Sequence, residues 1–342
     1  MQLTKSRFLP RGSQILRSAV VVGAMVLSLP ATGMVINPTF TAAFNTSFGA
    51  NAAAAQAAWI AAATVFTSNF SDPITVNIAV DGVTGTGVFG HSNTGLIGFT
   101  TNGWSNMQAK LVADSKTADD ATATGAGGSL AGADPTGGAA IWATRSEAKA
   151  LGIIASDGAN DGTTTFGSGF NWSFNSTATG SQYDFQGVAD HEISEVLGRL
   201  GLGGQQINVG GTNFTSYSVV DLFSYRSAGV RVLGNGGAAG QEGSFSINGG
   251  TTLLMQYNDQ FSNALDYRDW NTTTPYTPDS FNQFSNNGVA NPVSNVDLKE
   301  LDVIGYDRII QTTGTPEPST GIVLFASLLL GGFVRRRVLS QK

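Results

Sequence analysis

The stretch D-H-E-I-S-E-V-L-G-R, residues 190–199, contains the side chains whose types and spacing could perform hydrolytic chemistry. In an α-helix, residues four positions apart lie on the same face, so His191 and Glu195 point in the same direction. An imidazole and a carboxylate can both bind zinc, which makes these two residues candidate metal ligands. Glu192, beside the histidine, is placed to reach a water held by the ion and to act as general base.

This stretch differs from the H-E-x-x-H zinc motif because Glu195 stands where the second histidine is expected. A third ligand must come from elsewhere in the chain, and Asp221 is one candidate. It lies in the apolar string V-V-D-L-F, where an unpaired carboxylate would be costly. The alternative is a structural role for Asp221, in which it caps a helix or pairs with Arg199 or Arg226.

Three other residues have weaker claims on the site. His91 is the only other histidine, and its surroundings, F-G-H-S-N-T-G, favour a surface turn over a ligand. Asp190 points about 100° away from His191 on a helix, which favours a supporting or capping role. Met255, in L-M-Q-Y, superficially resembles a methionine turn beneath a metal, but a chance match is the favoured interpretation.

The helix that carries these residues is predicted to begin near Tyr183. Its apolar side chains are expected to cover the buried side: Val188, Ile193, Val196 and Leu197. Gly198 is expected to end the helix in a sharp turn, and Arg199 to anchor that end through carbonyl groups or a carboxylate.

The remaining chain predicts an α+β fold, with a mixed sheet, packed helices and an irregular, loop-rich C-terminal lobe. Hydrophobic periodicity predicts strands at 35–40, 74–82 and 170–175, helices at 51–70 and 296–307, and a strand end followed by a short helix at 141–153. The segment 116–140 is expected to be a long loop, and 205–290 to be irregular loops with short strands. The turn at 156–166, rich in side-chain oxygens, could hold Ca²⁺, although a solvated turn is the favoured interpretation.

Composition excludes several classes of function. Only 12% of the 342 residues are charged and the net charge is −6, whereas a nucleic-acid-binding protein normally carries a basic face. The chain has no cysteine, which excludes disulfides and thiolate chemistry. It also lacks the G-x-S-x-G turn of serine hydrolases and the G-x-x-x-x-G-K-[ST] phosphate loop.

Both ends of the chain have the character of targeting segments. Residues 1–33 combine basic residues, an apolar run and small residues, as in a secretory signal peptide; an uncleaved anchor is the alternative. At the other end, P-E-P is followed by an apolar segment, 321–334, and three arginines. This order resembles the PEP-CTERM sorting signal, here spanning 316–337. The resemblance implies export from a Gram-negative bacterium, transient contact of the C-terminal segment with the inner membrane, and processing by an exosortase. The cell surface or extracellular matrix is then the expected location.

The region between these ends, 34–315, resembles PEP-CTERM-tailed metalloproteases with a metzincin-like zincin domain. The similarity is carried by V-A-D-H-E-I-S-E-V-L-G-R, by S-V-V-D-L-F-S-Y and by L-D-V-I-G-Y-D, and it extends over most of this region. It implies zinc as cofactor, His191 as a zinc ligand and Glu192 as catalytic base. An N-terminal lobe over about 34–200 and a C-terminal lobe over about 201–310 are expected.

This chain departs from the full metzincin pattern, H-E-x-x-H-x-x-G-x-x-H, at two of the three ligand positions. Glu195 replaces the second histidine, Gly198 is retained, and Gly201 stands at the third ligand position. One imidazole with two carboxylates forms a harder site than usual, which brings calcium or manganese into consideration.

Two hypotheses follow for the function. In the first, the protein is an exported, surface-sorted zinc-dependent endopeptidase that hydrolyses a protein or peptide substrate, with Glu192 activating a metal-held water. In the second, it is a non-catalytic matrix or cell-surface protein on a protease-like scaffold. A third ligand converging on the face of His191 and Glu195 favours the first hypothesis, and its absence favours the second.

Overall fold

A computed structural model describes residues 33–234, 242–258, 267–272 and 276–310, all within one compact unit. The predicted sorting signal at 316–337 and all but the last residue of the predicted signal peptide lie outside the described residues. None of the helices in the described segments has the length and apolar character needed to cross a membrane.

The described chain contains strands and helices in a mixed α+β order, as predicted. The strands are β1 Val35–Phe40, β2 Thr75–Val83, β3 Gly90–Thr94, β4 Leu96–Phe99, β5 Ala140–Thr144, β6 Gly162–Gly167, β7 Trp172–Ser173, β8 Tyr183–Asp184, β9 Gln205–Val209, β10 Thr212–Ser218, β11 Ser224–Ser227, β12 Val230–Arg231 and β13 Ser244–Phe245. The α-helices are α1 Ala42–Phe48, α2 Ala52–Asn69, α3 Gly103–Asp114, α4 Ala118–Thr124, α5 Arg145–Ala150, α6 Phe185–Val196 and α7 Asn295–Val303.

The strands form several sheets rather than one. The first sheet has the order β1-β2-β6-β3, in which β1, β2 and β6 are parallel and β3 is an antiparallel edge strand. The second has the order β4-β5-β10-β9 and so combines strands from both sides of residue 200. Smaller sheets consist of β12-β11-β13 and of β7-β8.

Helix α2 and strand β2 confirm two periodic patterns of the sequence. Every second residue of β2 is buried, as alternation predicts for a strand with one face on the core. The predicted stripe of α2 is also buried: Trp59, Ala63, Phe66 and Phe70. The helix ends before Pro73, which cannot continue it.

Helix α6 lies in the centre of this arrangement, packed against α2, β3 and β6. Its predicted apolar side is buried as expected: Val188, Ile193, Val196 and Leu197. At its end, Gly198 has a φ of 122°, a conformation that glycine adopts more readily than other residues. The helix is therefore held rigidly, and so are the polar residues on its other faces.

Two predicted elements differ from the structure. The expected loop at 116–140 contains helix α4, because Thr117 and Asp120 form a capping box that satisfies the first turn. The expected strand at 170–175 is reduced to two residues, Trp172–Ser173, paired with β8. The final helix is confirmed as α7, with Leu298 and Leu301 buried.

Candidate metal centre

Three side chains of the described chain form a group suited to a metal ion: His191, Glu195 and Asp269. One ligand atom from each lies within 4.8 Å of the other two. His191 Nε2 lies 3.9 Å from Glu195 Oε1 and 3.7 Å from Asp269 Oδ2. The structure therefore brings together the two predicted helix ligands and adds a carboxylate that the sequence analysis did not identify.

Helix α6 supplies two of the three side chains, one turn apart on the same face. Asp269 comes from a distant segment and is followed directly by a buried indole. Trp270 is almost fully buried, and its Nε1 donates a hydrogen bond to Asp297 Oδ1 at 2.7 Å. The anchored tryptophan restrains the segment that carries Asp269.

Each of the three side chains also has an orienting partner on its other polar atom. His191 Nδ1 lies 2.8 Å from the carbonyl oxygen of Ser280, which fixes Nδ1 as the protonated nitrogen and directs the Nε2 lone pair toward the carboxylates. Ser92 Oγ donates to Glu195 Oε2 at 2.7 Å. Arg199 Nη1 donates to Asp269 Oδ1 at 2.5 Å. Such outer contacts are characteristic of metal sites, where they orient the ligands.

Arg199 links the end of α6 to Asp269, as the sequence analysis predicted for an anchor through a carboxylate. Its side chain is buried, its Nε donates to Ser194 Oγ at 2.8 Å, and its guanidinium lies 4.3 Å from the centre of the Phe281 ring. Burial opposes its charge, but the carboxylates of Asp269 and Glu195 hold the pKa of Arg199 above its usual value. The guanidinium is therefore a permanent cation behind the carboxylates.

The ligand set fits a small divalent cation. An ion with bonds of about 2.1 Å in a tetrahedron has ligand atoms about 3.4 Å apart, slightly closer than the distances between Nε2 and the two carboxylate oxygens. The two distances from Nε2 need only a small contraction to reach this value. One imidazole nitrogen and two carboxylate oxygens suit zinc, and they also suit harder ions such as manganese.

Glu192 and His191 line a cavity of about 170 Å³ beside this group. Asp269 also borders the cavity, which has room for several water molecules. Strand β3 forms another wall, and its backbone passes close to the Glu192 carboxylate. A Cβ atom on residue 90 would lie 2.2 Å from Glu192 Oε1, so a side chain here would displace the Glu192 carboxylate.

Asp279, at the edge of the same cavity, belongs to a pair of buried carboxyls. Burial raises the pKa of Asp279. Burial, together with the nearby Asp279, raises the pKa of Asp297 well above its ordinary value. The two carboxyls hydrogen-bond to each other, and Asp279 directly precedes Ser280, whose carbonyl oxygen contacts His191 Nδ1.

Asp221 lies outside the group formed by the other candidate ligands. Its Oδ1 accepts a hydrogen bond from Arg268 Nε at 2.9 Å. Its Oδ2 accepts from the backbone N–H groups of Leu202 at 3.0 Å and Gly203 at 2.9 Å. Asp221 therefore pairs with an arginine, as the alternative structural role predicted, but the arginine is Arg268 and not Arg199 or Arg226.

The other histidine, His91, lies on a strand that borders the site, but its side chain faces away from the site. His91 is exposed on β3, between Gly90 and Ser92, which both approach α6. Because side chains alternate along a strand, His91 points to the opposite face. It lies on a strand and not in the predicted turn. Met255, part of the L-M-Q-Y segment, packs against the core, partly buried.

The oxygen-rich loop at 156–161 is held by side-chain cations. Lys149 Nζ lies 2.6 Å from Asp161 Oδ2, with both side chains buried. Arg145 pairs with Asp157 and, at 3.2 Å, with Asp161 Oδ1. These ion pairs neutralise the carboxylates that would otherwise be offered to a calcium ion.

Asp269 is the residue that the sequence analysis missed. It lies in the short string Y-R-D-W, residues 267–270, within a region expected to be irregular. Two opposite charges between aromatic residues, in a chain with only 12% charged residues, are the signal that could have identified it. Comparison with protein-family models, curated proteins and solved structures finds no match for this chain.

Proposed function

We propose that this protein is an exported metal-dependent endopeptidase with a metzincin-like zincin domain, in which His191, Glu195 and Asp269 hold zinc. The observation that carries the proposal is the convergence of these three ligand atoms within 4.8 Å beside a cavity lined by Glu192. The orienting contacts from Ser280, through its carbonyl oxygen, and from the Ser92 and Arg199 side chains support it.

The chemistry divides between the metal and the protein. When bound, the metal supplies a Lewis acid that polarises a carbonyl group and makes water more acidic. Glu192, in the cavity beside His191, accepts the proton of the attacking water and delivers it to the departing amine. His191 keeps its Nδ1 proton on the Ser280 carbonyl, so its Nε2 remains available as a ligand.

The surroundings of the cavity suit an extended peptide. Strand β3 is the edge strand of the first sheet and borders the cavity through Gly90. An edge strand can pair with an incoming peptide backbone through main-chain hydrogen bonds. Phe89 and the exposed Phe284 add apolar surface at the same place for a substrate side chain.

The resemblance to PEP-CTERM-tailed metalloproteases supports the cellular part of the proposal. Residues 1–33 would direct export, and 316–337 would sort the protein to the cell surface or matrix through an exosortase. Its substrates would be proteins or peptides outside the cell.

The test is cleavage of an unstructured protein such as casein by the purified, zinc-loaded protein. We expect Glu192→Gln to lower the rate by at least about 100-fold and to retain zinc, because only the base is removed. Zinc binding without any cleavage by the wild-type protein, across a broad peptide library, would overturn the peptidase assignment. It would favour a cell-surface protein with a structural metal.

A further inference from the structure

A second cavity, of about 630 Å³, is lined by a different face of helix α6. Asp184, Gln186 and Asp190 contribute to it from the start and middle of the helix, and Asn291 closes another side. Neither Asp184 nor Asp190 belongs to the group around His191. The two carboxylates are therefore distinct from the candidate metal ligands, although Asn291 lines both cavities, and their role does not depend on the proposed function.

Two buried carboxylates in this cavity are incompletely satisfied. Asp184 and Asp190 are each 2% exposed, and the Oδ1 atom of each has no hydrogen-bond partner among the described residues. Asp184 Oδ2 accepts the backbone N–H of Asn291 at 2.9 Å, which leaves Oδ1 as the atom that requires a partner. A buried carboxylate oxygen without a partner is costly.

The part of the cavity lining that the structure describes offers these two carboxylates no side-chain cation. None of the described residues that line the cavity is a lysine or an arginine. Burial keeps both carboxylates almost entirely out of contact with water. Burial also raises the pKa of Asp184. Within the described lining of the cavity, the pair thus lacks the positive charge that buried carboxylates normally have beside them.

Every polar side chain among the described residues that line the cavity carries at least one oxygen atom. Ser176, Gln186 and Asn291 line it together with the two carboxylates. Carboxylate, amide and hydroxyl oxygens without nitrogen or sulfur ligands are the donor set that hard cations select. We propose that Asp184 and Asp190 form a second cation site, for calcium, that stabilises the helix bearing His191.

The site would couple calcium to the stability of α6. Asp184 immediately precedes the helix and Asp190 lies in its middle, one residue before His191. A cation held by both would fix the first half of the helix against the segment around Asn291. Calcium would therefore raise the unfolding temperature without entering the zinc site.

The experiment is thermal unfolding of the full chain with saturating zinc, titrated with calcium. We expect wild-type protein to gain about 5 °C at saturation, and Asp190→Asn to weaken calcium binding at least tenfold. Asp157→Asn is the matched control, because it removes a carboxylate from the 156–161 loop and should leave the calcium response unchanged. If Asp190→Asn does not fold, Asp184→Asn replaces it.

Several results would overturn the site. If millimolar calcium does not change the unfolding temperature, the two carboxylates are neutralised by protons and not by a metal ion. An equal shift in wild-type and Asp190→Asn would place calcium elsewhere. Stabilisation by n-butylammonium but not by calcium would assign the cavity to an organic cation.

Discussion

Arg199 Nη1 donates to Asp269 Oδ1 at 2.5 Å, while Asp269 Oδ2 faces His191 Nε2 at 3.7 Å. One carboxylate thus joins the anchor at the end of α6 to the candidate metal ligand on the same helix. The guanidinium fixes the orientation of Asp269, and the fixed orientation directs Oδ2 toward the histidine.

Arg199→Lys should lower zinc affinity by about 10–100-fold, because a lysine cannot contact Ser194 and Asp269 together in the planar geometry of a guanidinium. Zinc affinity is measured by competition with a chromogenic chelator. Arg145→Lys is the matched control, since Arg145 pairs with Asp157 and Asp161 away from the centre. Equal zinc affinity in both variants would contradict a positioning role for Arg199.

Gly90→Ala should reduce peptidase activity at least tenfold, while zinc remains bound. The added Cβ would meet Glu192 Oε1 at 2.2 Å and Val188 Cγ1 at 2.8 Å, so the carboxylate must move from its position in the cavity. Gly87→Ala is the control, because a Cβ there meets nothing within 4 Å. A fully active Gly90→Ala protein would show that the position of Glu192 is not critical.

Asp221→Asn should destabilise the fold by about 3–5 kcal/mol, because it breaks the buried ion pair between Asp221 and Arg268 Nε. The zinc content per folded chain should not change. Urea unfolding gives the free energy of unfolding, and elemental analysis gives the metal content. Loss of zinc from folded Asp221→Asn protein would return Asp221 to the ligand set.

Asp302 makes stability depend on pH near neutrality. Burial raises its pKa to about 7, so the folded protein binds a proton that the unfolded chain has already lost. The stabilisation that this proton gives the folded state is complete below about pH 4. It falls as the pH rises toward 7, with a slope of up to about 1.4 kcal/mol per pH unit. The free energy of unfolding of Asp302→Asn, relative to that of the wild-type protein, should therefore be higher at pH 8 than at pH 4. An unchanged pH profile in urea unfolding would contradict this account.

The sequence predicted those parts of the fold in which one chain segment determines its own structure. Alternation in β2 and the apolar stripe of α2 follow from burial of one face, and both are confirmed. Helix α4 was missed because its region is rich in glycine and alanine, although Thr117 and Asp120 form a recognisable cap. Sheet order was not predicted, because pairing of β5 with β10 depends on distant segments.

The candidate site also has one part that local sequence predicted and another that depends on tertiary packing. Helical spacing was sufficient to place His191 and Glu195 on one face, since both belong to one helix. Asp269 and its anchor at Trp270 reach that face only through tertiary packing, which no local pattern encodes. Asp221 was a candidate ligand because it is a carboxylate in an apolar string, but its Oδ1 accepts a hydrogen bond from Arg268 Nε.

We propose that Asp269 completes a metal site with His191 and Glu195. The most direct measurement is the zinc content of dialysed wild-type and Asp269→Asn protein, by elemental mass spectrometry, with circular dichroism to verify folding. We expect close to one zinc per wild-type chain and a loss of most of it in folded Asp269→Asn. Folded wild-type protein that retains no zinc when zinc is supplied, or Asp269→Asn protein that keeps a full equivalent, would contradict the account.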